Sequence, residues 1–510
     1  MKYYCITLAL FCLVLPATAS DIPPSLDRYI ERGMEAFDVP GLAIAIVKEG
    51  DIVLAKGYGA RDKKGGGAVD ADTVFGIASI SKSFTTAALA MLVEEGKLQW
   101  DAPVRRYLPD FRMYDPYVTE HITVRDLLTH RCGLGGIAGG TFWYGSTLSS
   151  AEIMRRIRFV KPRIGFRSWF AYQSLTYLAA GQLIPAVTGM SWFEFIERRI
   201  LKPLDMTRSS TTLEGIVKEK NAVVPHTRIN GEVVAVDYRG YDNMAPAVSI
   251  NSTANDMAHY ILMLLSGGRY KERQVLSPGM VYELTKSQML IHVPYVPPQL
   301  EETRPMFASY GLGWFVQDYK KRKMAVHGGQ IDGLFSLVIL MPELKLGMAV
   351  MINQEEEGLL DAITNRIMDY YIDPEAEHKD WIPVYLELER MMDDWRGKMN
   401  DELFKRPAKP RPPSVPLKDL AGIYRDEAVG DIFVTLDGDF LQLKFPNTPS
   451  FSAGLEHWDR NHFKIHWEDP YILRGLLEFT IGSGSSVEGL LFKVPKMEDV
   501  DFSEIKAVRK

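Results

Sequence analysis

The chain has 510 residues, 46% of them hydrophobic and 24% charged, with a formal net charge of −6. These are the values of an ordinary globular protein, with enough apolar material for a large core and enough length for more than one domain. No long basic run is present, which excludes nucleic acid as the expected partner.

Lys2, an apolar stretch over 6–15 and the small residues Ala17-Thr18-Ala19 read as a secretory signal covering 1–19. Its apolar part is short for a bilayer span; a retained N-terminal anchor is the alternative. The expected location is therefore exported, periplasmic or extracellular. Cys5 and Cys12 fall inside this signal, leaving Cys132 without an internal disulfide partner. It reads as a small buried residue. Beyond the signal, no other apolar stretch is long enough to span a membrane.

Leu26, Ile30, Met34 and Phe37 recur at helical spacing and predict an amphipathic helix ended by Val39-Pro40-Gly41. Strands follow over 42–47 and 52–58, around the turn Glu49-Gly50-Asp51. From residue 79 the pattern is mainly helical, with Ser150 and Ser277 as expected caps. Strands return over 311–316, 324–327, 334–341 and 346–353, and 359–371 predicts a closing helix. Strands at both ends with helices between give one α+β domain over 20–375, its sheet assembled from distant segments. A helical stretch and a proline-rich run, Lys405 to Pro413, form an expected linker over 376–415. In 416–510, alternating residues flank Asp437-Gly438, a hairpin signal. This segment reads as a small antiparallel β domain, with a barrel as one form it can take.

The chemistry concentrates at Ser79-Ile80-Ser81-Lys82, which opens a helical run through Leu92. Residues three apart share a helix face, so Lys82 is expected one turn from the Ser79 hydroxyl. A serine is a weak nucleophile until a base takes its proton. A lysine can be that base only when neutral, and burial at a helix start favours the neutral form. The spacing alone is weak, since Ser503-Glu504-Ile505-Lys506 shares it; Ser79 can equally be a helix cap. Tyr172 begins a second helical run, where its phenol can relay a proton or simply pack. His327-Gly328-Gly329-Gln330 follows a strand-like stretch. Its glycines allow close backbone approach, and the amide after them can face an oxyanion; a strand end with a bulge is the bland alternative.

At these residues the chain resembles the penicillin-recognising serine hydrolases related to class C β-lactamases, which include D,D-peptidases and esterases. Phe75-Gly76-Ile77-Ala78-Ser79-Ile80-Ser81-Lys82-Ser83-Phe84-Thr85 carries the likeness. Val39-Pro40-Gly41, Thr123-Val124-Arg125-Asp126-Leu127-Leu128-Thr129-His130, Tyr310-Gly311-Leu312-Gly313-Trp314 and His327-Gly328-Gly329 are similar to further landmarks in the same order. The likeness covers about 25–370, and the tail is similar to a lipocalin-like β domain carried by some members.

The resemblance implies a β-lactamase/transpeptidase-like antiparallel sheet flanked by helices, and an acyl-enzyme on Ser79. Lys82 and Tyr172 would share acid and base work, and the amides of Ser79 and Gln330 would form the oxyanion hole. Gly329, His327 and Ser174 would line the substrate site. Neither metal nor organic cofactor is implied. The substrate would be a small ester, peptide or β-lactam-like molecule; oligomeric state stays open.

Two departures bear on specificity. Ser174 stands where the family often has asparagine, and His327-Gly328 where many β-lactamases and D,D-peptidases have lysine and threonine. A lysine there holds a substrate carboxylate; a histidine is expected to titrate near neutrality. Esters, or amides of small or D-configured residues, therefore fit at least as well as penicillins. The rivals are a catalytically silent binding or sensor protein that kept the fold, and a broad β-lactamase. Neither a Gly-x-Ser-x-Gly elbow nor a His-Glu-x-x-His zinc motif is present.

Overall fold

A computed structural model describes residues 22–293 and 295–510. The secretory signal expected over 1–19 lies outside the described residues. Helix α1, Leu26–Phe37, buries Leu26, Ile30, Met34 and Phe37 as the spacing predicts. Strands β1, Gly41–Lys48, and β2, Asp51–Gly59, form the first hairpin. The helical region contains α2, Ser81–Glu94, α3, Ser174–Thr188, and α4, Ala254–Leu265. Then come β3, Met289–Ile291, β4, Ala308–Tyr310, β5, Phe315–Tyr319, β6, Arg322–Ile331, β7, Leu334–Met341, and β8, Leu346–Ile352. Helix α5, Glu357–Ile372, closes the unit.

These strands make one eight-stranded antiparallel sheet in the order β2-β1-β8-β7-β6-β5-β4-β3. Strand β1 pairs with β8 through Leu42↔Ile352 and Ala45↔Ala349, joining distant segments as expected. Every residue of β1 is buried because both faces are covered. Leu42, Ile44 and Ile46 join the layer containing α1 and α5, whereas Ala43, Ala45 and Val47 join the layer containing α2. The two alanines leave room for α4, which packs across β1 and β8. Residues 81–92 of α2 are buried without interruption. A helix covered all round belongs at the centre of its layer, and that position fixes the start of α2 against the sheet.

Two local expectations change. Of the strand expected over 311–316, residues 315 and 316 open β5, whereas 311–314 form a turn between β4 and β5, in which the Gly311 amide donates to Trp314 O over 2.7 Å. Gly313 has φ +82, and a Cβ there would meet Thr86 Oγ1 at 2.6 Å, so tight apposition to α2 wins over the apolar pattern. The cap expected at Ser150 is one residue earlier: Ser149 Oγ accepts from the Glu152 amide. Ser277 caps its helix as expected, accepting from the Met280 amide ahead of Pro278.

Helix α6, Trp381–Leu403, buries Trp381, Ile382 and Tyr385 against α1 and α5. Trp381 Nε1 donates to Asp369 Oδ2 over 3.0 Å. After the proline-rich run the chain forms β9, Gly422–Asp426, β10, Gly430–Asp437, β11, Phe440–Lys444, β12, Ser452–Asp459, β13, His462–Trp467, β14, Gly475–Ile481, β15, Val487–Lys493, and β16, Ala507–Arg509. They form a closed barrel in sequence order, sealed where Tyr424 of β9 pairs with Arg509 of β16. Closure removes the exposed edges that a short meander would present.

The barrel is seated on the α+β domain. Tyr144 stacks on Phe451 with ring centroids 6.2 Å apart. Arg156 donates to Ala428 O and Val429 O over 2.8 and 2.6 Å. Buried apolar residues of both units form one continuous cluster. Among the described residues, no helix is long and apolar enough to cross a membrane.

Candidate active site

Ser79 sits in a single 3-10 turn, Ala78–Ile80, immediately before α2 rather than within it. Ala78 has φ +46, an uncommon conformation for a residue with a side chain. The turn leaves Ser79 half-buried between fully buried neighbours. It is tied down by its motif companions: Ser83 Oγ donates to Ile80 O over 2.8 Å, and Ser81 Oγ accepts from the Ile250 amide over 3.0 Å.

Lys82 is buried completely. Its Nζ lies 2.9 Å from Ser79 Oγ and 3.1 Å from Ala247 O. Burial pushes the Lys82 pKa down to about 7, against the opposing pull of Asp499 and Glu498. Tyr172 lies in the extended segment before α3, its ring centroid 4.8 Å from Lys82 Nζ. Burial raises its phenol well above the ordinary value, with the Ser79 side chain as the main opposing influence. The hydroxyl is buried and, among the described residues, forms no hydrogen bond of regular geometry, although it faces Ser79. At neutral pH, then, Lys82 can accept a proton and Tyr172 can donate one.

Strand β6 runs through the two glycines without ending. A Cβ on Gly329 would stand 2.1 Å from Ile77 O and 3.0 Å from the Ser79 amide, so the strand backbone lies directly on the serine turn. Gln330, the next residue, pairs with Phe335 of β7 and is thereby carried to the same place. Ser174 is buried at the first turn of α3.

The expectation that His327 titrates near neutrality is overturned. Its Nδ1 lies 2.7 Å from Gly328 O and its Nε2 3.0 Å from Tyr310 Oη. A carbonyl only accepts, so Nδ1 carries the proton and Nε2 accepts from Tyr310. Burial and the neighbouring Lys82 push the His327 pKa down to about 3. The side chain is neutral across the physiological range.

Two groups escaped sequence reasoning. His130 is fully buried, with its Nδ1 accepting from the Gln173 amide over 2.9 Å and its ring centroids 4.4 and 4.5 Å from Tyr172 and Tyr310. It fixes the segment that carries Tyr172; its place in the Thr123–His130 landmark was the available signal. The second is Glu498-Asp499, contributed by the barrel, which no pattern in the tail announces.

A family model described as Beta-lactamase matches residues 26–370. The chain belongs to the beta-lactamase family. A second model, a domain of unknown function termed DUF3471, matches residues 406–507, the region of the barrel. Among curated relatives, the unguisins hydrolase ungD of Aspergillus violaceofuscus is 26% identical over 438 residues, covering 81% of this chain and 76% of that protein. Protein flp of Staphylococcus aureus is 26% identical over 359 residues, covering 69% and 68%. The octameric penicillin-binding protein homologue from Pyrococcus abyssi superposes with a TM-score of 0.60 at 23% identity, over 89% of this chain and 96% of that one; the likeness is one of fold. In this beta-lactamase-family chain the matched region holds Ser79, Lys82, Tyr172 and Gln330 together, while the second model's region supplies Glu498 and Asp499.

Proposed function

We propose that this protein is an exported serine hydrolase that forms an acyl-enzyme on Ser79 and cleaves an ester or amide bond of a small substrate. The observation that carries the reading is the 2.9 Å contact between Ser79 Oγ and a buried Lys82 whose pKa lies near neutrality. Neutral Lys82 takes the hydroxyl proton as Oγ attacks the substrate carbonyl. The Ser79 and Gln330 amides stabilise the oxyanion, for which the seating of Gly329 on the serine turn is the support. The Tyr172 hydroxyl gives its proton to the leaving group and regains one from Lys82. Water then attacks the acyl-enzyme and regenerates Ser79.

The neutral His327 favours esters and peptides over β-lactams, because it offers no fixed cation to a substrate carboxylate. A silent binding protein would have no physical need for a buried, pKa-lowered lysine on a half-exposed serine. The test is intact mass spectrometry after brief mixing with an activated ester, a D-amino-acid amide or a penicillin, each beside Ser79→Ala. An adduct or product confined to the unsubstituted protein supports the reading; equal behaviour of Ser79→Ala would sink it.

A further inference from the structure

The extended segment that carries Tyr172 also carries Phe170, and the two rings share a neighbour in Phe315. Phe170 lies 5.6 Å from Tyr310 and 5.8 Å from Phe315, centroid to centroid. Phe315 stacks on Tyr172 at 6.2 Å, with the ring planes 13° apart, and stands 5.6 Å from His327. Both phenylalanines are held from behind. Tyr310 pairs with Phe315 across the β4–β5 turn, which Gly313 presses onto α2, and the two rings meet edge to face at 4.9 Å. The Ala171 amide donates to His130 O over 2.8 Å, and the Arg167 amide to Arg131 O over 2.8 Å. The rings are thus set before a ligand arrives, which spares the ligand the cost of ordering them.

The rings differ in what they offer. Tyr310 and His327 are buried, and their polar atoms are spent on one another over 3.0 Å and on Gly328 O. Phe170 and Phe315 are half-buried. Further out, Trp169 is exposed and lies over His292, with ring centroids 4.7 Å apart. Beyond the Tyr172 hydroxyl, then, this wall presents carbon: two adjoining aromatic rings, partly open, beside a catalytic residue. Apolar surface held open in this way gains by taking an apolar group out of water. Its place decides which group. Tyr172 hands its proton to the departing oxygen or nitrogen, so the ring stacked on Tyr172 lies against what that atom carries, not against the acyl group left on Ser79.

We infer that Phe315 and Phe170 form an aromatic subsite for the leaving group, and that the favoured substrates are esters or amides whose departing alcohol or amine bears an aromatic ring. This rests on the proposed serine hydrolase reading and names its substrate class. The ring of the leaving group packs against the two phenylalanines and sheds its water as the substrate binds.

The test compares phenethyl acetate with ethyl acetate, which share an acyl group and differ in a phenyl that methylenes insulate from the reacting carbonyl. A mirror pair, methyl hydrocinnamate and methyl propionate, carries the same phenyl on the acyl side. The readout is the ratio of kcat/KM within each pair, in which a general loss of rate from a displaced Tyr172 cancels. It is measured in the full chain, in Phe315→Ala and in Phe170→Ala, with thermal melting to confirm folding and the leucine variants in place of any alanine variant that does not fold. The acetate ratio is expected to exceed about tenfold in the parent, the effect of burying much of a phenyl ring, and to fall at least about threefold in each variant, while the acyl-side ratio stays where it was. A parent acetate ratio near unity, an acetate ratio unmoved in either variant, or a fall confined to the acyl-side pair overturns the inference. If neither acetate turns over, labelling with a neutral fluorophosphonate separates the two ideas. Label on Ser79 then overturns the subsite alone; no label overturns the hydrolase reading and the subsite together.

Discussion

The Tyr310 hydroxyl donates to His327 Nε2 across 3.0 Å, and this bond, with the Nδ1 contact to Gly328 O, leaves the imidazole no free nitrogen with which to greet a substrate anion. Replacing Tyr310 by Phe removes the donor from a buried acceptor, at a cost of about 1–3 kcal/mol. The expected result is a lower unfolding midpoint in urea. A midpoint equal to that of the parent would mean that the histidine is satisfied some other way.

The rate of acylation should depend on pH through Lys82. Only the neutral amine accepts the Ser79 proton, so kcat/KM is expected to rise as pH increases through about 7 and to fall on the acid side. The groups facing it are Ser79, Tyr172, Tyr177, His130, His327, Asp499 and Glu498. Both histidines are held below their ordinary values and both tyrosines above theirs. The two carboxyls are raised by burial and ionise in the same direction that Lys82 loses its proton. A profile flat from pH 5.5 to 8.5, as in about equal rates across that range, would remove Lys82 as the base.

Lys82→Ala should slow acylation by at least about 10²-fold, the ordinary loss for a positioned base, while Ser79→Ala abolishes turnover. Stopped-flow release of the leaving group reads the first, and burst amplitude the second. An unaltered acylation rate in Lys82→Ala would assign proton removal elsewhere.

Gly329→Ala tests the approach of β6 to the serine turn. The added methyl meets backbone, not a pliable side chain, so the strand must move away from Ser79. Turnover is expected to fall about 10²-fold, the scale of a lost oxyanion donor, with the fold retained by circular dichroism. Full activity would show that the oxyanion site does not depend on this contact.

Asp332 anchors the seam near the site. It accepts from Tyr144 and Tyr241 over 2.7 and 3.0 Å and pairs with Arg239, which also reaches Asp469 of the barrel at 2.7 Å. Asp332→Ala leaves the buried Tyr144 and Tyr241 hydroxyls without their acceptor and Arg239 with Asp469 alone, and stability is expected to drop by about 1–3 kcal/mol. Chemical denaturation measures it; a change below about 1 kcal/mol would show that water screens the pair.

Much of the catalytic half was legible beforehand. The 3.6-residue spacing from Leu26 to Phe37 and the serine–lysine spacing are local signals, and each fold element they predict is present. The strand expected over 311–316 begins only at Phe315, because apolar residues in a turn pressed against α2 look the same as apolar residues in a sheet. His327 was misjudged because a tautomer is set by partners, Tyr310 and Gly328 O, that spacing does not reveal. The influence of Asp499 on Lys82 is invisible in the sequence for a stronger reason: it depends on where the barrel rests, a relation between residues some 400 positions apart in the chain that no local pattern encodes.

The pairing of β1 with β8 also sets an order of events in time. About 300 residues separate Leu42 from its partner Ile352, and at roughly 5–20 residues per second a ribosome needs tens of seconds to make them. Throughout that interval the first hairpin has an apolar strand with an open edge, the kind of template on which chains mispair. Because its closing partner arrives so late, the yield of native protein should depend on what shields residues 41–48 during synthesis more than on the final strength of the core.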